Sequence, residues 1–229
     1  MVEEEIGAKE MAERYRKIPT ATIYDTLDSM GYGNQCLSLA IKPLCYDMHV
    51  AGQAFTVQGS RDPRTGSTSP KFENFGMLKA IRPNNVVVVD AEKESCCGHW
   101  GEMMSYTSKQ HGAVGIVIDG GIRDGRGLLK IPDWPVFVRY TSPIESLRRW
   151  RPQDFQIPIC MSGTLTAEVA VNPGDWIVGD MDGVIAIPQE MAQRVLVKAE
   201  ETEAREEDTR KALASGVSID EVYQKYKRL

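Results

Sequence analysis

No stretch of this chain approaches the roughly 20 consecutive apolar residues that a helix needs to cross a bilayer. Its first residues, Met1-Val2-Glu3-Glu4-Glu5, are acidic where a secretory leader is basic. Both absences point to a cytosolic protein with no membrane partner. Positive charge is also in short supply, with 27 Lys and Arg against 32 Asp and Glu and a net charge of -5. That balance argues against nucleic acid as a direct partner, because phosphate binding draws on clustered cations. Cysteine is sparse, and Cys36, Cys45, Cys96, Cys97 and Cys160 are odd in number and lack paired metal-ligand spacing, so free thiols in a reducing compartment are expected. Cys96 and Cys97 read as loop thiols before they read as part of a pocket. The three histidines, His49, His99 and His111, form no ligand cluster, and no serine sits in a nucleophile-elbow motif. His99, shortly before Gly101, reads as structural before it reads as a proton donor to a leaving group.

What the chain does have is apolar content and period. At 229 residues and 42% hydrophobic it can bury the core of one α/β domain. Val86-Val87-Val88-Val89-Asp90 and Val114-Gly115-Ile116-Val117-Ile118-Asp119 are short β-branched runs, the pattern of strands buried on both faces. Between them, Glu102 to His111 carries no Gly or Pro and is bounded by Gly101 and Gly112, which predicts a helix of two to three turns starting near Glu102. Strand, helix and strand in this order predict a parallel βαβ unit. Both carboxyl ends then lie on one edge, so Gly101-Glu102 and Gly120-Gly121-Ile122-Arg123-Asp124 meet where open α/β sheets bind ligands.

Residue chemistry suggests what that edge does. Hard divalent cations favour carboxylate oxygen, and Mg2+ keeps several waters while using one or two protein carboxylates. Asp124 is the expected direct ligand, with Glu102 holding a metal-bound water. The amides of Met103 and Met104, at a helix N-terminus, favour a substrate carboxylate. Arg123 adds a planar charge suited to a carboxylate or enolate oxygen. Metal, anion cradle and arginine describe a site for a small oxo acid.

The segment Gly101-Glu102, followed after Gly112-Ala113 by Val114-Gly115-Ile116-Val117-Ile118-Asp119-Gly120-Gly121-Ile122-Arg123-Asp124, resembles the signature of the family that holds 4-hydroxy-4-methyl-2-oxoglutarate aldolase, 4-carboxy-4-hydroxy-2-oxoadipate aldolase and the ribonuclease E inhibitor RraA. Thr22-Ile23-Tyr24-Asp25-Thr26-Leu27-Asp28-Ser29-Met30-Gly31 is similar to the family's opening helix, Ala51-Gly52-Gln53-Ala54-Phe55-Thr56-Val57 to its first core strand, and the stretch from Asn172-Pro173-Gly174-Asp175 to Asp182-Gly183-Val184 to its late hairpin. The resemblance implies a layered swivelling β/β/α-type sandwich with a central parallel βαβ unit. It implies a lyase that releases pyruvate from a 4-hydroxy-2-oxo acid, often with oxaloacetate decarboxylation, both through a metal-stabilised enolate on Mg2+ or Mn2+. By the same resemblance Asp124 is the metal ligand, Arg123 binds the pyruvyl oxygens and Glu102 orients the metal-bound water. Arg123 and Glu102 are thus the catalytic candidates, and Arg123, with Gly101, Met103 and Met104 at the helix N-terminus, the substrate-binding ones. One departure stands out: the aldolases have Asp at the first acidic position and this chain has Glu102. Two other readings stay open. One is an RraA-like regulator without chemistry, although Asp124 and the long C-terminus depart from that branch; the other is a metal-dependent lyase or hydratase acting on a sugar-derived acid.

Elsewhere, residues 8–31 predict one or two helices, 59–70 a loop, 72–81 a helix on which Asn74 could face the pocket, and 135–138 a short strand. Residues 146–155, with Arg148, Arg149 and Arg151, read as a solvated connection or subunit contact. Asp180-Met181-Asp182-Gly183 reads as a hairpin turn and not as a catalytic acid pair. Residues 189–214 predict a charged helix ended by Gly216, so the chain divides into an α/β domain over 1–188 and a C-terminal extension over 189–229. The resemblance implies that this extension packs on a neighbouring subunit of a homotrimer or homohexamer and brings an acid to its site, with Glu200, Glu203, Glu206 and Glu207 as candidates.

Overall fold

The computed structural model describes residues 5–62 and 75–226. The N-terminal half runs α1 (Ala8–Tyr15), α2 (Thr20–Ser29), β1 (Lys42–Pro43), β2 (Val50–Arg61), α3 (Phe75–Ala80), β3 (Asn85–Asp90), α4 (Glu102–Gln110), β4 (Gly115–Asp119), β5 (Gly121–Ile122) and α5 (Gly125–Leu128). There follow β6 (Val136–Val138), β7 (Tyr140–Thr141), β8 (Trp150–Phe155), β9 (Ile159–Ser162), β10 (Glu168–Val171), β11 (Trp176–Gly179), β12 (Val184–Ile187), α6 (Ala192–Ala214) and α7 (Ile219–Tyr226). The main sheet has the order β1-β6-β4-β3-β2-β11-β12, with β8 added beside β2. Its centre, β2-β3-β4-β6, is parallel, while the β11 and β12 side and the β8 edge are antiparallel.

Strand alternation builds the layers, because successive side chains leave a strand on opposite faces. Val87, Val89, Ile116 and Ile118 join Met77, Leu78 and Leu128 under α3, α4 and α5. Val86, Val88 and Val117 point the other way, against Ile159 and Met161 of β9 and Val169 and Val171 of β10. At the antiparallel end, Trp176, Val178, Ile185 and Ile187 pack on Tyr15, Ile23 and Leu27 and on Val195, Leu196 and Ala199 of α6. The fold is therefore α/β and layered, with helices, main sheet and a β9-β10 hairpin as its three tiers. Each fully buried valine of β3 contributes about 1.5 kcal/mol or more relative to exposure.

The predicted βαβ unit is present as β3-α4-β4, with Asp90 paired to Asp119 at the shared carboxyl edge. Three readings change. Gly59–Arg61 are not loop but the end of β2, paired with β8. Residues 146–155 are not a solvated connection throughout: β8 is an edge strand whose Trp150 is 2% exposed, its indole filling the space over Gly59. The helix at 189–214 is not only a charged face, since its first half closes the core over β11 and β12. The remainder of the 59–70 loop and Asn74 lie outside the described residues. The hairpin reading of Asp180-Met181-Asp182-Gly183 holds, with Asp180 N-H donating to the Gly183 carbonyl at 3.0 Å. Asp180 also accepts from the backbone and hydroxyl of Thr20 at 2.9 and 2.6 Å, which caps α2 from a distant turn. Among the described residues no helix is long and apolar enough to cross a membrane.

Candidate active site

The two loops leaving β3 and β4 are stitched together by backbone bonds. His99 N-H donates to the Gly121 carbonyl at 2.8 Å and Arg123 N-H to the Trp100 carbonyl at 2.9 Å, with Trp100 and Ile122 paired in parallel. On its other side Gly98 N-H donates to the Ile144 carbonyl at 2.9 Å, and Gly98 pairs with Glu145. Residues 98–100 thus run between 121–123 and 144–145, and the close approach needs glycine: a Cβ at Gly98 would stand 2.6 Å from Arg123 N.

This ladder delivers Arg123 and Asp124 to the start of α4. A Cβ at Gly101 would lie 2.8 Å from Asp124 Oδ2 and 3.3 Å from Arg123 Cγ. Gly101 is the N-cap of α4 and offers no side-chain cap. The first amides of the helix, including those of Met103 and Met104, therefore lack the intrahelical and side-chain acceptors that caps provide. The Met103 side chain is 67% exposed and that of Met104 leans on the core, so what these residues present here is backbone. Asp124 occupies the N-cap position of α5 in a left-handed conformation, φ 61° and ψ 32°, which Asp tolerates better than most residues. Its carbonyl accepts the first bonds of α5, from Gly127 at 2.8 Å and Leu128 at 3.0 Å. Its carboxylate does not cap that helix. An N-cap aspartate normally spends its side chain on its own helix; this one turns to Gly101 and Arg123 instead.

Arg123 Nε stands 3.4 Å from the Asp124 carboxylate and Nη1 3.7 Å from Glu145 Oε1. Both pairs are open to solvent and contribute little to stability. Glu102 lies at the first turn of α4 with its carboxylate against the backbone of Gly127, where a Cβ would overlap it. Asp124 thus rests on the N-cap glycine of α4, and Glu102 on a glycine within α5. The predicted residues Gly101, Glu102, Arg123 and Asp124 are brought together; Glu145 and Gly127 were missed. The Gly-Arg-Gly after Asp124 was the available signal for Gly127. Glu145 carried none, because its approach depends on the pairing of Gly98 with a distant loop.

The donor set is oxygen alone, which suits Mg2+ or Mn2+. Among the described residues no three His, Cys, Asp or Glu converge as a cage. A cation here fits a single direct ligand, Asp124, with water completing its shell, and Glu102 within the same corner.

Other candidates fall elsewhere. Cys97 is fully buried and its thiol is pushed up to about 12, mainly by burial and by Cys96 beside it, which makes it a poor nucleophile. His99 is 2% exposed, and its Nδ1 accepts the Gly121 N-H at 3.0 Å. Of the C-terminal acids, Glu200 pairs with Arg14 of its own chain at 2.6 Å, Glu203 accepts from Thr22 at 3.0 Å and pairs with Arg210, and Glu207 pairs with Arg210 and Lys211.

The sequence profile of the RraA-like family, aldolase/RraA, matches residues 20–186. The chain belongs to this family. A Halalkalibacterium halodurans protein named "Putative 4-hydroxy-4-methyl-2-oxoglutarate aldolase" is 33% identical over 213 residues, covering 92% of this chain and 91% of its own. Protein DlpA of Legionella pneumophila is 28% identical over 207 residues, 90% of this chain but 32% of DlpA, so the chain spans about a third of that relative. The crystal structure of Streptomyces coelicolor RraAS2, described as an unusual member of the RNase ES inhibitor RraA protein family, matches with a TM-score of 0.75 and 28% identity over 88% of this chain and 96% of its own. The aldolase/RraA profile ends before α6, whereas the alignment with the H. halodurans relative covers 92% of the chain.

Proposed function

We propose that the chain is a divalent-metal-dependent lyase that cleaves a small 4-hydroxy-2-oxo acid and releases pyruvate. The observation that carries this reading is the convergence of Asp124 and Arg123 on Gly101, at the uncapped start of α4. Asp124 would hold Mg2+ or Mn2+, which when bound supplies Lewis-acid polarisation of the 2-oxo group. Arg123, with its planar fork, binds the 2-oxo and carboxylate oxygens and offsets the negative charge that develops as the C3–C4 bond breaks. The amides of Met103 and Met104 hold the carboxylate end. Glu102 takes the proton of the C4 hydroxyl through a water, and the proton returned to C3 completes pyruvate. The same arrangement suits decarboxylation of oxaloacetate, where carbon dioxide leaves in place of the carbonyl fragment.

The pairing of Arg123 with Asp124 and the naming of the H. halodurans relative support chemistry over regulation. A non-catalytic regulator that binds a ribonuclease is the second reading, supported by the likeness to RraAS2. Glu102 in place of Asp supports a third, a lyase or hydratase on a sugar-derived acid. We further propose that the protein is cytosolic and works as a trimer or hexamer whose sites lie at subunit interfaces, with residues 189–229 as the extension that reaches a neighbour. A fully active monomer in sedimentation coupled to activity assays would overturn the interface part of this reading.

The test couples lactate dehydrogenase and NADH to the protein with 4-hydroxy-4-methyl-2-oxoglutarate or oxaloacetate, with Mg2+, Mn2+ or EDTA, after subtracting spontaneous decarboxylation. Pyruvate release that requires metal and stops in EDTA is the expected result. No release above background would turn the reading to the regulator or to a sugar-acid lyase.

A further inference from the structure

The Gly120-Gly121 turn that carries Arg123 and Asp124 is gripped from two sides. His99 bonds Gly121 twice, its backbone N-H donating to the Gly121 carbonyl at 2.8 Å and its Nδ1 accepting from the Gly121 N-H at 3.0 Å. A Cβ at Gly120 would lie 2.6 Å from Nδ1, so the turn is seated directly on the imidazole. Opposite, the Tyr140 ring occupies the space a side chain at Gly121 would need, and its hydroxyl donates to the carbonyls of Cys97 at 3.0 Å and Glu94 at 3.2 Å. Trp150 closes the far side of the imidazole with ring centroids 4.8 Å apart.

We propose that His99 is a positioning residue: its Nδ1 registers the Gly120-Gly121 turn so that Arg123 and Asp124 meet the start of α4. Because Nδ1 accepts a backbone N-H, the ring proton resides on Nε2, an atom that is buried without a hydrogen-bond partner among the described residues. A buried donor left unpaired is a cost the fold carries, and what it retains in return is the acceptor facing Gly121. A leucine would fill this apolar surrounding without that cost and without the acceptor. Three residues separate Gly120 from Asp124, so a shift of the turn passes along the backbone to both side chains, and displacement near 1 Å at a reacting centre can cost a hundredfold in rate. The activity named here rests on the function proposed above; the positional role does not.

The experiment compares His99→Leu, which removes the acceptor, with His99→Asn, whose Oδ1 can stand where Nδ1 does. Hydrogen exchange of the peptide spanning 119–124, Mn2+ affinity by electron paramagnetic resonance without substrate, and kcat for pyruvate release are read on each. For His99→Leu the expected outcome is faster exchange in that peptide, weaker Mn2+ binding and a kcat down at least about tenfold, with KM moving less. For His99→Asn, slow exchange and most of the affinity and kcat return. Gly120→Ala, which drives a methyl onto Nδ1 with His99 intact, reproduces the leucine result and serves if His99→Leu does not fold. Equal impairment of the Leu and Asn variants, or unchanged exchange at 119–124 in both His99→Leu and Gly120→Ala, overturns the proposal. If the wild-type protein releases no pyruvate, the exchange comparison still decides the role of His99, so the two failures are distinguishable.

Discussion

Oδ2 of Asp124 lies 2.8 Å from where a Cβ on Gly101 would stand, with Arg123 Cγ 3.3 Å from the same point. The extended backbone of Gly101, φ -143° and ψ -174°, is open to any residue, so alanine there introduces no backbone strain. Gly101→Ala is therefore a steric probe of the site: Mn2+ affinity and kcat should each fall about tenfold while the thermal midpoint stays within a few degrees. Unchanged affinity and turnover would mean that Asp124 is free to act from another position.

Removing the charges separates the two roles. Asp124→Ala should abolish Mn2+ binding measured calorimetrically and lower metal-dependent turnover by a hundredfold or more, with circular dichroism unchanged. Arg123→Lys keeps the charge and loses the fork. It should bind Mn2+ normally and lose about a hundredfold in kcat/KM. Retained activity in both variants would refute the site.

Glu102 rests on the backbone of Gly127. If it moves a proton and does not ligate the ion, Glu102→Gln should cut kcat by about a hundredfold, the ordinary size of a general acid-base contribution, while Mn2+ affinity changes by less than about threefold. Gly127→Ala, which pushes a methyl into the carboxylate, should act in the same direction. A large loss of metal affinity in Glu102→Gln would make Glu102 a direct ligand.

Acid should act on the fold in two windows. Burial is the main cause that holds the His99 pKa below its ordinary value. The folded state thus binds this proton less readily than the unfolded chain. The contribution is fully present above about pH 6.5, the ordinary histidine value, and is lost as pH falls below it toward the lower folded value. Glu94, hydrogen-bonded to Arg61, is pulled down to about 2, so its contribution is present above the ordinary 4.5 and lost between there and about 2. Urea midpoints from pH 7.5 to 5 should fall less steeply in His99→Asn than in the wild type; parallel curves would assign the upper window to other groups.

The sequence by itself determined the elements and their order. Four consecutive valines in β3, the β-branched run of β4 and the uninterrupted segment between Gly101 and Gly112 leave little freedom, because local period and glycine punctuation act within a few residues. Asp180 to Gly183 was legible as a turn for the same reason. Parallel pairing of β3 with β4 then follows from connection rules, and with it the meeting of Glu102 and Arg123-Asp124 at one edge. Only the tertiary structure decided what those residues touch. That Asp124 withholds its carboxylate from its own helix, that Glu102 lies on Gly127, that Glu145 joins Arg123 and that His99 seats the Gly120-Gly121 turn all depend on contacts between segments 20 or more residues apart, or on a left-handed backbone at a single residue. The burial of Trp150 over Gly59 and of the first half of α6 belongs to the same class. Composition made both look solvated, and the partner that covers each is set by the three-dimensional path of the chain, which no local pattern encodes.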